Sequence, residues 1–246
     1  MNNISIQVSI GHVVRIVILM SATVVALGIG REIYVALYGL ETPLEDLRHI
    51  ALDTEHCLGS WYSSLLMATI ALLLAAAAQR RDEQRWRRHR YVLAGIFMLL
   101  SLDESVSFHE LLIDPLQPLV AEYSYLHFAW IIPGSLFVIL MGLAYLPFVL
   151  ARPPAIRLGM IAAGTAYVAG ALGMEAIGGH FVAEGGFEAE GYIASFLVEE
   201  SLEIAGLTLF LITLLHEIMQ GSTAAAPARA RARRQPASRP HLAGPR

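Results

Sequence analysis

Residues 192–210 read YIASFLVEESLEIAGLTLF, an apolar stretch interrupted by Glu199, Glu200 and Glu203. An apolar run of this length is typical of a helix that crosses a membrane. A carboxylate at mid-membrane depth costs about 2.5–3.5 kcal/mol on insertion scales, so these three glutamates cannot all face lipid. They must face protein or a wet cavity, which predicts a bundle of membrane helices around a polar site.

The rest of the chain has the same apolar character. Its 246 residues are 56% hydrophobic, with a mean hydropathy of +0.56, which is too apolar for an ordinary soluble domain. Six runs are long enough to cross the hydrocarbon layer as helices. These runs are 14–39, 60–79, 91–113, 127–149, 156–178 and 192–218. The predicted fold is an all-α polytopic membrane bundle of six transmembrane helices.

Arginines predict the orientation of this bundle. Loop 79–90 carries six, loop 151–157 carries two and the tail after Gln220 carries six more. The positive-inside rule places all three segments in the cytoplasm, so both termini are cytoplasmic and the membrane is a bacterial inner membrane. His216 and Glu217 are then expected to be solvated at the cytoplasmic end. The loops 40–59, 114–126 and 179–191 face the periplasm and are acidic.

The two ends of the chain allow further expectations. Residues 1–220 form the transmembrane domain, and the Arg/Pro/Ala-rich tail 221–246 is predicted to be disordered in the cytoplasm. Its arginines are expected to contact anionic lipid and not nucleic acid. Arg15 followed by the apolar run 16–30 also suits a signal peptide, although the apolar pattern resumes at Ile33. Cleavage of span one therefore stays an open alternative.

Acidic residues inside the spans fall at one predicted depth. Asp103, Glu104 and Glu175 join the glutamates of span six in the outer half of the bundle. Other groups able to bind a proton or cation, or to neutralise the acids, lie near the same level: Arg31, Glu32, Asp53, Glu55, His56, His109, Glu110, His127 and His180. Arg31 is expected to pair with the acidic cluster. This convergence predicts one shared site near the periplasmic surface.

Helical periodicity predicts which faces meet. Asp103, Ser107 and Glu110 share one face of span three, and His109 lies off that face. Span five carries a stripe of small residues with one carboxylate: Gly164, Ala171, Glu175, Gly178 and Gly179. Such a stripe lets helix backbones approach closely, so it is predicted to pack against another span.

A divalent transition metal, Zn, Fe or Mn, is the most economical partner for these acids and imidazoles. The predicted ligands are Asp103, Glu104, His109, Glu110, His127, Glu175, His180, Glu199, Glu200 and Glu203. Glu203, Glu199 and Asp103 are the predicted catalytic residues, one glutamate acting as general base on metal-bound water. His127 also suits an interfacial aromatic belt, and His180 a loop. Since Cys57 is the only cysteine, a thiolate metal cluster is excluded.

A short resemblance points to one class of enzyme. Ser105-Val-Ser-Phe108-His109 is similar to the Ser-x-x-Phe-His stretch of the alkaline ceramidase/adiponectin-receptor superfamily of intramembrane zinc hydrolases. The resemblance implies a zinc near Ser105 and His109 and a lipid amide as substrate. The last span lacks that superfamily's His-x-x-x-His, and the chain has neither Glu-x-x-His nor His-Glu-x-x-His.

A wider resemblance covers most of the chain. Its elements are Asp53-x-Glu55, Trp61-x-Ser63-Ser64, Ser101-Leu-Asp-Glu104, His109-Glu110 and Glu199-Glu200-x-x-Glu203. Together they resemble a bacterial family of multipass membrane proteins without an established activity. The resemblance implies the fold and the motifs, but no mechanism.

Three functions follow as hypotheses. The first is a metal-dependent enzyme acting on a lipid or another membrane-embedded substrate. The second is a protein that handles protons or cations without catalysis, and the third is a structural or assembly subunit whose acids pair with a partner's basic residues. The expected partners are the lipid bilayer, a lipid substrate, and a second copy or a membrane-complex subunit; nucleic acid is not expected.

Overall fold

The computed structural model describes residues 9–39, 45–52 and 56–234 and is all-α. Its α-helices are α1 Ile10–Tyr38, α2 Leu58–Ala78, α3 Arg87–Val106, α4 Ile113–Val120, α5 Ile131–Leu150, α6 Pro154–Val168, α7 Glu175–Gly185 and α8 Glu190–Arg234. Short 3₁₀ helices span Glu45–Ile50, Arg81–Trp86, His109–Leu112 and Ser124–Leu126, and a π-helical segment spans Ala169–Met174. Helix α8 extends into the predicted tail, whose disorder stays a prediction, and 235–246 lie outside the described residues.

The predicted membrane bundle is confirmed. Five helical segments of the described chain are long and apolar enough to cross a membrane. A sixth is obtained when the bent pair Glu83–Val106 and His109–Val120 counts as one span. The protein is therefore a multipass membrane protein with five to six spanning helices.

Span three departs from the sequence prediction at its outer end. Helix α3 ends at Val106 and does not continue to 113, because Ser107 adopts the left-handed conformation with φ 58°. The following segment, His109–Val120, turns away by 79°. The predicted face shared by Asp103, Ser107 and Glu110 is therefore wrong, since helical spacing no longer applies beyond Val106.

The left-handed Ser107 gives a test of this bend. Glycine adopts positive φ without the steric penalty of about 1–2 kcal/mol that a Cβ brings. Because Ser107 Oγ is buried without a hydrogen-bond partner, Ser107→Gly is expected to leave thermal stability unchanged or raise it. Ser107→Val is expected to lower the free energy of unfolding by about 1–3 kcal/mol. Thermal unfolding in detergent compares the two; a Val variant as stable as the Gly variant would contradict the assignment.

Span five also departs from a regular helix. Helices α6 and α7 are joined by the π-helical segment Ala169–Met174, and together they form the span Pro154–Gly185. A π turn accommodates one extra residue and rotates the residues after it relative to an α-helix. The predicted small-residue stripe is correspondingly wrong in its first half, because Gly170 packs on α8 whereas a Cβ on Gly164 would meet nothing within 4 Å.

Helix α8 is the central element of the bundle and contacts α1, α2, α6 and α7. Its inner apolar face packs on α2 in one cluster that includes Met67, Ile70, Leu207 and Leu211. Hydroxyl groups add links between the spans. Ser21 of α1 lies 2.8 Å from Tyr62 Oη and 2.6 Å from Thr208 Oγ1. Ser64 and Ser101 each donate to the other's carbonyl, joining α2 to α3.

A buried ion network closes the predicted cytoplasmic end. Arg90 donates to Glu83 at 3.1 Å and to Glu217 at 2.8 Å. Arg152 donates to the same two carboxylates at 2.9 and 3.0 Å. Its guanidinium also lies 4.3 Å from the centre of the Phe148 ring. The expectation that Glu217 is solvated is wrong, because its side chain is 9% exposed.

Candidate functional site

A cavity of about 650 Å³ lies in the half of the bundle predicted to face outward, and we call it the acid cavity. Its ionisable lining residues are Asp103, Glu104, His109, Glu110, His127, Glu175, Glu199, Glu200 and Glu203. They come from α3, the 3₁₀ turn after it, the segment before α5, α7 and α8. Nine of the ten predicted ligands therefore meet around one space, which no arginine or lysine of the described chain lines.

Asp103 holds His109 at the rim of this cavity. The His109 backbone N–H donates to Asp103 Oδ1 at 3.0 Å, and its ring Nδ1 lies 2.8 Å from Oδ2. The left-handed Ser107 brings the chain back so that one carboxylate reaches both groups. With Nδ1 on Asp103, the tautomer that donates from Nδ1 leaves Nε2 as the nitrogen that can accept a proton or bind a ligand.

Trp130 connects this pair to the glutamates. Its indole ring lies 4.7 Å from the imidazole of His109, and its Nε1–H donates to Glu175 Oε1 at 3.0 Å. The carboxyl group of Glu175 also interacts with that of Glu199 on α8. Two carboxyl groups can hydrogen-bond only when one of them carries a proton, because an ionised carboxylate has no donor. The cavity wall can therefore hold a proton between two helices.

Glu203 lies deepest among these acids. Its side chain is 9% exposed and interacts with the Tyr167 side chain. Gly170 makes this placement possible, because a Cβ there would lie 2.9 Å from Glu203 Cγ and 2.8 Å from the backbone oxygen of Glu199. The close approach of the backbones of span five and α8 thus places the Glu203 side chain at the acid cavity.

The π-helical segment positions Glu175. Gly170, inside the segment, packs against Glu199 and Glu203, and Gly178, after the segment, packs against Ser195, all on α8. The two glycines are eight positions apart, about one more than two α-helical turns require, and the wide turn absorbs the extra residue. Glu175 begins the helix directly after this turn. The helical periodicity of the sequence does not predict this π-helical segment. Its run of small residues is the one sequence feature that indicates it.

Two histidines have different surroundings. His180 does not line the acid cavity; its Nδ1 lies 2.9 Å from Ser124 Oγ and its ring stacks on Tyr125 at 4.4 Å. His127 does line the cavity and packs edge-on against Phe128. The loop alternative for His180 is wrong, because His180 lies within helix α7. The aromatic-belt alternative for His127 agrees with its ring contact, and ligation by either histidine stays a prediction.

Other expected members of the site lie elsewhere. Arg31 pairs with its own neighbour Glu32 at 2.7 Å and does not line the acid cavity, so the expected pairing with the acidic cluster is not seen. Asp53 and Glu55 lie outside the described residues.

The arrangement of the acids is not that of a metal centre. Among residues 9–39, 45–52 and 56–234, no group of three or more His, Cys, Asp or Glu side chains is placed to hold a metal ion. Two of the acids have local partners instead, because the His109 ring is bonded to Asp103 and the Trp130 indole donates to Glu175.

Comparison with known proteins gives a family and no activity. Residues 15–218 match the family described as Domain of unknown function (DUF8692), and the chain belongs to this family. No curated protein and no solved structure matches the chain.

Proposed function

We propose that this member of the DUF8692 family is an integral membrane protein, of a bacterial inner membrane, that binds a positively charged ligand in the acid cavity. The observation that carries the proposal is the convergence of seven carboxyl groups on one space of about 650 Å³, without a lining arginine or lysine in the described chain. The volume lies within the usual range for small-molecule sites. Carboxylates in such a low-dielectric setting repel one another, and a bound cation relieves that repulsion.

Aromatic rings support an organic cation as the ligand. Phe128, Trp130, Phe187, Tyr192 and Phe196 line the same cavity as the acids. An ammonium group gains from ring faces as well as from carboxylates, and aromatic pockets recognise quaternary ammonium in this way. The existing contacts to Asp103, Glu175 and Glu203 need not break for such a ligand to enter.

Binding of small cations tests this proposal. We expect ethylammonium to bind the purified protein in phosphatidylcholine nanodiscs, measured by isothermal titration calorimetry against empty nanodiscs. The double variant Glu199→Gln/Glu203→Gln should bind at least about tenfold more weakly, a loss of roughly 1.4 kcal/mol. Glu188→Gln is the matched control, because Glu188 is exposed and does not line the cavity.

Equal ethylammonium binding by wild type and the double variant would show that the acid cavity is not the cation site. No binding to either would have the same consequence.

A metal-dependent enzyme acting on a membrane-embedded substrate is the second candidate. It is favoured by the Asp103–His109 pair, because metal-binding histidines commonly donate their other ring nitrogen to a carboxylate. In this proposal Zn, Fe or Mn binds His109 Nε2 and neighbouring glutamates, and Glu203 or Glu199 is the general base.

Metal analysis of the purified protein tests this second candidate. A stoichiometric transition metal is expected in wild type, and Asp103→Asn should lower metal affinity by about 10–100-fold. His12→Gln, at an exposed position of α1 outside the acid cavity, is the control. Metal contents that are equally low in all three proteins would eliminate the enzyme as proposed.

A further inference from the structure

A second, apolar depression adjoins the acid cavity, and we call it the lateral groove. It has a volume of about 220 Å³ and lies between α3 and α5, with α6 and α8 as its floor. Phe97 of α3, Met141 of α5 and Phe210 of α8 are among its lining residues. Almost all of its lining is apolar. The groove therefore suits a hydrocarbon chain and offers nothing to a polar group.

The groove and the acid cavity share part of their walls. Leu100, Tyr167 and Val168 line both spaces. Tyr167 marks the boundary, because it lines both spaces and interacts with Glu203 of the acid cavity. A single ligand that passes Tyr167 would place one end among carboxylates and the other among apolar side chains.

A hydrogen bond joins α5 to the first turn of α3 near the inner end of the groove. Tyr145 Oη of α5 donates to the backbone oxygen of His89 at 2.9 Å, just before the groove-lining Leu93 of α3. From Leu93 to Leu100 the helix rises by roughly 10 Å, which sets the length of chain that fits. The small volume leaves room for one alkyl chain and not for the two of a bilayer phospholipid.

We propose that the ligand is a single-chain amphiphile whose ammonium head lies in the acid cavity and whose alkyl chain lies in the lateral groove. The inference rests on the proposed function and names the class of its ligand. Charge selects the head, since the cavity is lined by acids and no lining arginine or lysine of the described chain would bind an anionic head. The apolar groove favours an alkyl tail. Because the groove and the acid cavity share a border, a single molecule carries both the ammonium head and the alkyl tail.

A groove-blocking variant tests the tail. A Cβ on Gly164, which lines the groove, would meet nothing within 4 Å, so Gly164→Leu fills the groove without a clash at its Cβ. The matched control is Gly173→Leu, in the same span, where a Cβ also meets nothing and which lines neither space. Calorimetry in phosphatidylcholine nanodiscs would use octylammonium, octanoate and ethylammonium as probes.

Octylammonium is expected to bind wild type and Gly173→Leu equally, and Gly164→Leu at least about tenfold more weakly. Ethylammonium should bind all three alike, and octanoate should bind none. Equal octylammonium binding by Gly164→Leu and Gly173→Leu would overturn the tail assignment while leaving the cation site intact. Octanoate binding as tight as octylammonium would overturn the head assignment. Failure of ethylammonium and octylammonium alike would instead reject the proposed function.

Discussion

Replacing Glu217 with alanine is expected to lower the free energy of unfolding by about 3–5 kcal/mol. Glu217 Oε1 accepts from both Arg90, at 2.8 Å, and Arg152, at 3.0 Å. Without it, Glu83 alone would face two guanidinium groups whose side chains are 1% and 7% exposed. A buried charge that loses its partner retains its desolvation penalty, which is why removing one partner of a buried pair is so costly.

Unfolding by SDS titration in mixed micelles measures this loss. His216→Ala is the control, because His216 is the neighbouring residue on α8 and is exposed; its free energy of unfolding should change by less than about 0.5 kcal/mol. If Glu217→Ala were as stable as His216→Ala, the network would not hold these ends of α3, α5 and α8 together.

The second large effect is expected at the crossing of span five and α8. An alanine Cβ at Gly170 would lie 2.8 Å from the backbone oxygen of Glu199, and backbone cannot move aside as a flexible side chain can. Overpacking of this kind typically costs about 1–3 kcal/mol, so we expect a loss of that size in unfolding free energy for Gly170→Ala, and more for Gly170→Leu. The separation of the helices should also displace Glu203 and weaken cation binding.

Gly173→Ala is the matched control for this crossing. Gly173 lies in the same π-helical segment, but a Cβ there meets nothing within 4 Å. Its unfolding free energy and its ethylammonium affinity should both stay at the wild-type values. Equal stabilities of Gly170→Ala and Gly173→Ala would show that the two backbones do not approach as closely as the structure has them.

The sequence predicted the bundle and the membership of the acid cavity well. Length and apolarity are sufficient to identify membrane spans, because the bilayer allows few alternatives to a helix. The glutamates of α8 had to face inward for the same reason, and they do line the cavity with Asp103 and Glu175. Depth along each span therefore brought these acids to one level, although Arg31 and His180, predicted at the same level, do not line the cavity.

Contacts within the site could not be predicted in the same way. Helical spacing carried past Val106 puts His109 off the face of Asp103, whereas the left-handed Ser107 ends the helix there. Serine rarely adopts this conformation, so the residue type gave no warning. The donor Trp130 was missed as well, since an aromatic side chain in a membrane span is usually assigned to packing or to an interfacial belt. Its bond to Glu175 is one of the contacts that distinguish an acid-lined cavity from a preformed metal centre.

The burial of Glu217 escaped prediction for a related reason. Arginine-rich loops indicate orientation, but they do not reveal which carboxylate the arginines enclose. The partners of Glu217 are 127 and 65 positions away along the chain, and only the folded bundle brings them together.

The wide turn at Ala169–Met174 also constrains how this chain can change in length. Deleting one residue from that segment would allow an uninterrupted α-helix, which is the more favourable backbone. Because the wide turn absorbs one residue more than two α-helical turns need, such a deletion would keep Gly170 and Gly178 on the same face of the span. Glu175 would keep its place beside Trp130, so relatives that are one residue shorter here are expected to have a regular α-helix in place of the wide turn, whereas a deletion elsewhere in the span would rotate the residues after it by about 100°.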